Sequence, residues 1–291
     1  MNRTESLNRL LNSIYAQSVL PHTIIVVDGS DTPVEPHLVR HTEVGLVYVR
    51  EFPPSLTRQR NAGIRAIPTE LTHVGFLDDD LVLLPNSLEA MQKFISREGP
   101  TLGGAGLNIQ DKPRGRLKFI SVLMGHSSTI PGKICSSGYA TSNIAAEKDY
   151  YSQWLCGGAT IWRRDILQSY SFDEWYRGYA LWEDVDFSYR VSKKFRLAVV
   201  AEAKVLHLHV NNMSSERAAR IGDLEIVDRF YFVKKHISEM SMPMAIWASF
   251  GTIGRNFVAA ISTMSVNPLV RAKYNLIALL RCVTGDIRRG F

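Results

Sequence analysis

Cysteine is scarce in this chain. Cys135, Cys156 and Cys282 are the only three among 291 residues, and they stand too far apart for a disulfide framework or a zinc-binding pattern. That usage points to a reducing compartment, the cytoplasm. A secretory leader is not evident either, because MNRTESLNRLLNSIYAQ is polar and helix-like rather than a charged stub before an apolar block. No internal repeat is visible, and no Ser-His-Asp or Cys-His arrangement offers a covalent nucleophile. The stretch MAIWASFGTIGRNFVAAISTM is interrupted at Arg255 and Asn256, which argues against a spanning helix. Acidic residues thin out towards the C-terminus. From Lys234 onward only Glu239 and Asp286 oppose eight basic residues, so that segment accounts for the whole formal charge of +6.

What remains is an ordinary globular composition, 45% hydrophobic and 21% charged, with ample material for a core. Length allows one large α/β domain with a helical appendage. Leu7, Leu10, Leu11 and Ile14 recur at helical spacing, and Pro21 closes that helix. TIIVVD and LVYVREF read as strands, TRQRNAGIRAI as a short helix, THVGFLDDD as a strand, and PNSLEAMQKFIS as a helix. Strands alternating with helices predict a mostly parallel sheet covered on both faces, with ligands beyond the carboxyl ends of its strands. Asp28 and the run Asp78–Asp80 should therefore share one rim. The Gly- and Ser-rich residues 103–150 read as loops and short strands. CGGATIWRRDIL reads as turn, strand and helix start; LWEDVDFSYRVSKK as a helix opening on Glu183, Asp184 and Asp186; and LAVVAEAKVLHLH as a strand with His207 and His209 on one face.

Aspartates closing a strand suit a hard divalent cation, Mg²⁺ or Mn²⁺, whose remaining positions are often filled by substrate phosphates and water. With strand alternation, Asp78 and Asp80 would face the ion together and Asp79 would turn away.

The segments TIIVVDGSD, TRQRNAGI, FLDDDLVLLPNSLE, CGGATIWRRDIL, SFDE, LWEDVDFSYRV and AKVLH occur in the order of family 2 glycosyltransferases of the GT-A fold, which this chain resembles from residue 2 to about residue 210. The resemblance implies an α/β fold with a mostly parallel Rossmann-like central sheet flanked by helices, and a helical C-terminal extension. The expected division is residues 1–215 as the nucleotide-sugar-binding catalytic domain and 216–291 as a basic amphipathic tail. It also implies inverting transfer of a hexose or deoxyhexose, rhamnose among them, from a nucleotide-diphosphate donor to a glycan or lipid-linked acceptor in cell-surface polysaccharide or glycolipid synthesis.

Carried over by position, Asp184 is the general base with Glu183 beside it. Asp28, Arg58, Arg60 and Asp78 contact the donor; Asp80, Asp78 and His207 hold Mg²⁺ or Mn²⁺; and Trp182, Gly157 and Gly158 border the acceptor. Relatives open with an apolar strand before a turn of which only Asn2 and Arg3 remain here, so that strand is expected upstream of Met1.

Two other readings stay open on the sequence: a non-catalytic nucleotide-sugar or glycan-binding module, and a nucleotidyltransferase or hydrolase using the same metal site. The Glu-Asp pair, about a hundred residues after the aspartate run, favours glycosyl transfer because it supplies an acceptor base. Ile246, Trp247, Phe250, Ile253, Phe257, Val258 and Ile261 form an apolar stripe, so the basic tail is expected at a membrane surface, on the inner face of the cell membrane. No nucleic-acid partner is expected.

Overall fold

The structure, a computed structural model, describes residues 4–110, 119–143, 145–208 and 213–290. Two compact units emerge from it. The first comprises residues 1–114, 143–179 and 183–209, and the second residues 115–142, 180–182 and 210–291.

In the first unit, α1 (Thr4–Tyr15) precedes β1 (Thr23–Asp28) and β2 (Gly45–Arg50), which pair in parallel as a separate two-stranded sheet. The helix α2 (Leu56–Arg65) follows. A six-stranded sheet is then assembled from β3 (His73–Leu77), β4 (Leu81–Leu83), β5 (Leu102–Ile109), β6 (Tyr150–Ser152), β7 (Ala159–Arg163) and β8 (Arg196–His207). Its order is β3-β7-β5-β8-β4, with β6 also paired to β8. Helix α3 (Ser87–Glu98) lies between β4 and β5 in sequence, while α5 (Arg164–Ser169) and α6 (Glu183–Ser192) come between β7 and β8.

The α/β class with flanking helices is as expected, but the pairing is mixed. Among the described residues only β1–β2 and β5–β8 run parallel, whereas β3–β7, β5–β7, β4–β8 and β6–β8 are antiparallel. Strand–helix alternation does not reveal this, because β4 follows β3 after a three-residue turn and returns to the sheet on a different neighbour.

The long strand β8 shows how the core is divided. Ala198 and Val200 pack with Leu10, Met91 and Phe94 of α1 and α3, while the alternate residues Leu197 and Val199 pack with Ile166 and Phe187 of α5 and α6. Period-two side-chain alternation thus places one apolar layer on each face. Within the stretch read as loops and short strands, LGGAGLNI is the fully buried central strand β5. Its glycines are there for clearance. A Cβ on Gly104 would come within 2.4 Å of the Trp162 ring on the adjacent β7, and one on Gly103 within 2.7 Å of Phe195.

The second unit contains α4 (Phe119–Leu123), α7 (Ser215–Lys235), α8 (Met242–Thr263) and α9 (Val266–Val283). Half of the basic excess of the tail is spent inside this unit. Arg271 pairs with Glu225, Arg281 with Asp223, and Arg289 with Asp228, each carboxylate coming from α7. The tail is therefore less of a free polycation than its composition indicates. Among the described residues no helix is long and apolar enough to cross a membrane.

Gly104→Ala is expected to lower stability by roughly 1–3 kcal/mol, the usual cost of forcing extra volume into a filled core. Urea unfolding measures it; an unchanged midpoint would mean that β5 does not lie against Trp162.

Candidate functional site

The site begins where β3 stops. Leu77 is opposite Ala159 in the β3–β7 ladder, and the Asp78 amide donates to Gly158 O at 2.9 Å. The chain then turns, closed by Leu81 N–H to Asp78 O at 3.2 Å. Asp78, Asp79 and Asp80 thus lie past the strand end, where alternation no longer governs them, so the expected division into two facing carboxylates and one opposed does not follow from a strand. Their separation has another origin. The β4–β8 register sets Leu81 against His207, and this brings Asp80 Oδ1 to 3.3 Å from His207 Nε2. Leu208 N–H donates to Asp80 O at 2.8 Å. His209 lies outside the described residues.

Asp78 joins a different group, organised by Arg60 on α2. The Arg60 guanidinium is buried, donates to Glu183 Oε1 at 3.1 Å, lies 3.5 Å from Asp78 Oδ1, and stacks over the Phe172 ring. Burial works against its charge, but Asp78, Glu183 and Asp184 outweigh burial and hold it firmly protonated. The α2 face carrying Arg60 is fixed on both sides. Thr57 Oγ1 donates to Tyr176 O, Asn61 bonds Phe172 and Glu174, and Gln59 donates to Val27 O.

Glu183 and Asp184 open α6, where the helix N-terminus favours negative charge. Their surroundings differ. Glu183 is buried, with Oε1 on Arg60 and Oε2 without a hydrogen-bond partner among the described residues. Asp184 keeps part of its surface and accepts from Gly157 N–H at 3.0 Å and Val185 N–H at 2.7 Å. Burial, followed by the Glu183 charge, pushes the Asp184 carboxyl up to about 7, against the opposing pull of the Gly157 amide, Arg60 and the Val185 amide. Asp186, the third acid of that turn, points elsewhere and pairs with Arg190 on its own helix.

Gly157 and Gly158 have a steric role. A Cβ on Gly158 would lie 2.0 Å from Asp78 Oδ2, and one on Gly157 would lie 2.6 Å from Arg60 and 2.7 Å from the Asp184 Cβ. Leu155 N–H donates to Ser188 Oγ, one turn along α6 from Asp184, so two hydrogen bonds hold the 155–157 segment against this helix.

The remaining expected residues make contacts of their own. Asp28 is buried at the end of β1 and accepts from Ser30 N–H (2.8 Å), Val34 N–H (3.1 Å), Tyr48 Oη and Arg50 (2.8 Å). Burial alone would raise its pKa, but the Tyr48 and Ser30 hydrogen bonds and the Val34 amide hold it far below the usual range. Tyr48 and Arg50 were not singled out in the sequence. Their signal is the parallel register, which sets Asp28 opposite Arg50. Arg58 pairs with Glu51. Trp182 belongs to the second unit, where its indole N–H donates to Gly138 O at 2.9 Å and its ring meets Tyr139 edge-on.

Among the described residues no three His, Cys, Asp or Glu side chains cluster closely enough to hold a metal ion alone. The Asp80–His207 pair nevertheless has the donor chemistry for two positions of a divalent ion whose others come from phosphate oxygens and water, as is usual for Mg²⁺.

The family model described as "Glycosyl transferase family 2" matches residues 1–170, more than half of the chain. No curated protein matches the chain. A mannosyltransferase from Pyrobaculum calidifontis, in complex with GDP-Man and Mn²⁺, is similar with a TM-score of 0.56 at 14% identity, over 98% of this chain and 84% of that one. GalNAc-T7, with UDP, GalNAc and Mn²⁺, is similar with a TM-score of 0.53 at 14% identity, over 82% of this chain and 49% of that one. At such identities the likeness is one of fold.

Replacing Arg60 by Met leaves Glu183 buried without its cation. The expected loss is about 3–5 kcal/mol in chemical unfolding, as for other broken buried pairs. A loss near the ~0.5 kcal/mol typical of an exposed pair would mean that Arg60 does not hold the group together.

Proposed function

As a premise, the chain belongs to glycosyl transferase family 2, and we propose that it transfers a sugar from a nucleotide-diphosphate donor to an acceptor hydroxyl by direct displacement, with inversion at the anomeric carbon. The observation that carries this reading is Asp184, half-buried at the start of α6 and aimed by the Gly157 amide; burial and the Glu183 charge push its carboxyl up to about 7. A base acting near neutrality works best with a pKa near the operating pH, and an ordinary aspartate would be too weak.

In the displacement, Asp184 takes the acceptor's hydroxyl proton as the oxygen attacks the anomeric carbon. The bond from that carbon to the diphosphate oxygen breaks, and the diphosphate leaves with the electron pair. Glu183, tied to Arg60, does not touch the acceptor in this scheme; it raises the basicity of Asp184 and keeps Arg60 in place. Asp28 acts through the turn 28–34, which it pins by its hydrogen bonds, so that turn rather than the buried carboxylate would line the base pocket.

Mg²⁺ or Mn²⁺ would be held by Asp80 and His207, and when bound it neutralises charge on the departing diphosphate. The two solved neighbours, one with GDP-Man and Mn²⁺ and the other with UDP, GalNAc and Mn²⁺, lend support to this donor class and ion. The acceptor proposed is a glycan or a lipid-linked glycan.

Turnover of a panel of nucleotide sugars, with Mn²⁺ or with chelator, tests the reading. Asp184→Asn is expected to lose about 10²–10⁴-fold in kcat while donor affinity persists. A base must be deprotonated, so wild-type activity should rise with pH through an apparent pKa of about 7. Full activity of Asp184→Asn would remove the base from the scheme. Asp80→Asn should abolish the stimulation by Mn²⁺ and Asp79→Asn should keep it; equal effects would detach the ion from the Asp80–His207 pair.

A further inference from the structure

Helices α8 and α9 are packed inside out. The α8 side chains turned inward are small or polar: Ala245, Ala248, Ser249, Thr252, Asn256 and Ala260. On α9 the inward set includes Ala272, Asn275 and Ala278. Polar side chains join the helices across this interior. Asn256 Nδ2 donates to Asn275 Oδ1 at 2.7 Å, and Asn275 Nδ2 donates to Gly222 O and Glu225 Oε1 on α7, each at 2.7 Å.

Most of the large apolar side chains point outward, Leu279 of α9 being the buried exception. Phe257, Val258 and Ile261 on α8, and Val266, Leu276 and Leu280 on α9, are all exposed. A helix in a water-soluble bundle does the reverse, with large apolar residues inside and charge outside. Small residues within, amide hydrogen bonds between helices and bulky aliphatics without is the arrangement of helices surrounded by lipid.

Charge distribution follows the same division. From Met242 to Val283 there is no Asp or Glu, and no charged residue of either sign lies between Arg255 and Arg271. That uncharged stretch is the tip of the α8–α9 hairpin, where Met264 sits in the left-handed region between the helices and is 94% exposed. The tip is held in position: Asn267 Nδ2 donates to Met213 O, and Ser215 Oγ, at the start of α7, donates to Asn267 Oδ1. Behind the tip stand Arg255 and Lys273, both exposed and with no ion pair among the described residues.

We propose that the α8–α9 hairpin docks into the surface of an anionic lipid bilayer, its tip entering the acyl boundary while Arg255 and Lys273 meet the headgroups. Neither helix meets the length and hydropathy of a span, so the hairpin enters one leaflet only. A second copy of the chain is the other apolar surface that could cover this face. It would bring Arg255 and Lys273 against helices that carry no carboxylate, whereas an anionic bilayer supplies the opposite charge. The proposal draws on the glycosyl-transfer reading only for its purpose, the meeting with a lipid-linked acceptor.

Flotation of the full chain with vesicles, without donor or metal, tests it, so that failure leaves the glycosyl-transfer reading untouched. The chain is expected to float with phosphatidylcholine–phosphatidylglycerol vesicles, more at low salt than at high. The Ile261→Asp/Met264→Asp variant should bind at least about tenfold more weakly, because burying apolar area drives such docking. Both side chains are at least 80% exposed, so circular dichroism and the thermal midpoint should not change. Arg255→Glu/Lys273→Glu should weaken binding to anionic vesicles more than to phosphatidylcholine alone. Absence of flotation, or equal flotation of the tip variant, overturns the proposal. So does a wild-type dimer in sedimentation that the tip variant dissolves while neither protein floats, which would give this face to a second copy.

Discussion

One buried cation organises the candidate site. Arg60 can stay charged beneath the surface only because Glu183, Asp78 and Asp184 surround it, and those three carboxylates can approach one another only because Arg60 lies among them. Glycine backbone at 157 and 158 gives the clearance; any Cβ there would collide with Asp78, Arg60 or Asp184. The arrangement leaves unequal carboxylates. Glu183 is consumed by the pair, while burial and then the charge of that neighbour raise the Asp184 pKa on a residue that keeps part of its surface. Such divergence between adjacent acids is how one acquires a role as base and the other a role in support.

Much of this was legible in the residues. The strand and helix segments around Asp28, Asp78–Asp80, Gly157–Gly158 and Glu183–Asp184 stand where their patterns placed them, because each is a short element with strong punctuation. Besides the mixed sheet and the Asp28 partners, two features were not legible. Glycine at 103 and 104 does not look like a buried strand, since sequence cannot show that Phe195 and Trp162 fill the space a side chain would occupy. Arg60 and Arg58 look alike within TRQRN, yet one is buried against Glu183 and the other pairs with Glu51 near the surface; only the contact of α2 with residues 172–183 distinguishes them.

The tail shows a similar contrast between composition and structure. Its positive charge suggested a membrane surface as partner, and three of those cations, Arg271, Arg281 and Arg289, are neutralised by Glu225, Asp223 and Asp228 of α7. What distinguishes the second unit is the placement of its apolar side chains outside a small-residue, amide-linked interior. Periodicity detects an apolar stripe in both situations. Whether the stripe faces the protein or the surroundings depends on which residues are small enough to let helices approach.

The central claim is that burial and the neighbouring Glu183 charge make Asp184 a base suited to neutral pH, while Arg60 and the Gly157 amide hold it in place and pull the other way. The most direct measurement is the titration of the Asp184 carboxyl itself by carbon-detected NMR on selectively labelled protein. A midpoint near 7 is expected; a midpoint near the ordinary 3.8 of an aspartate would contradict the claim.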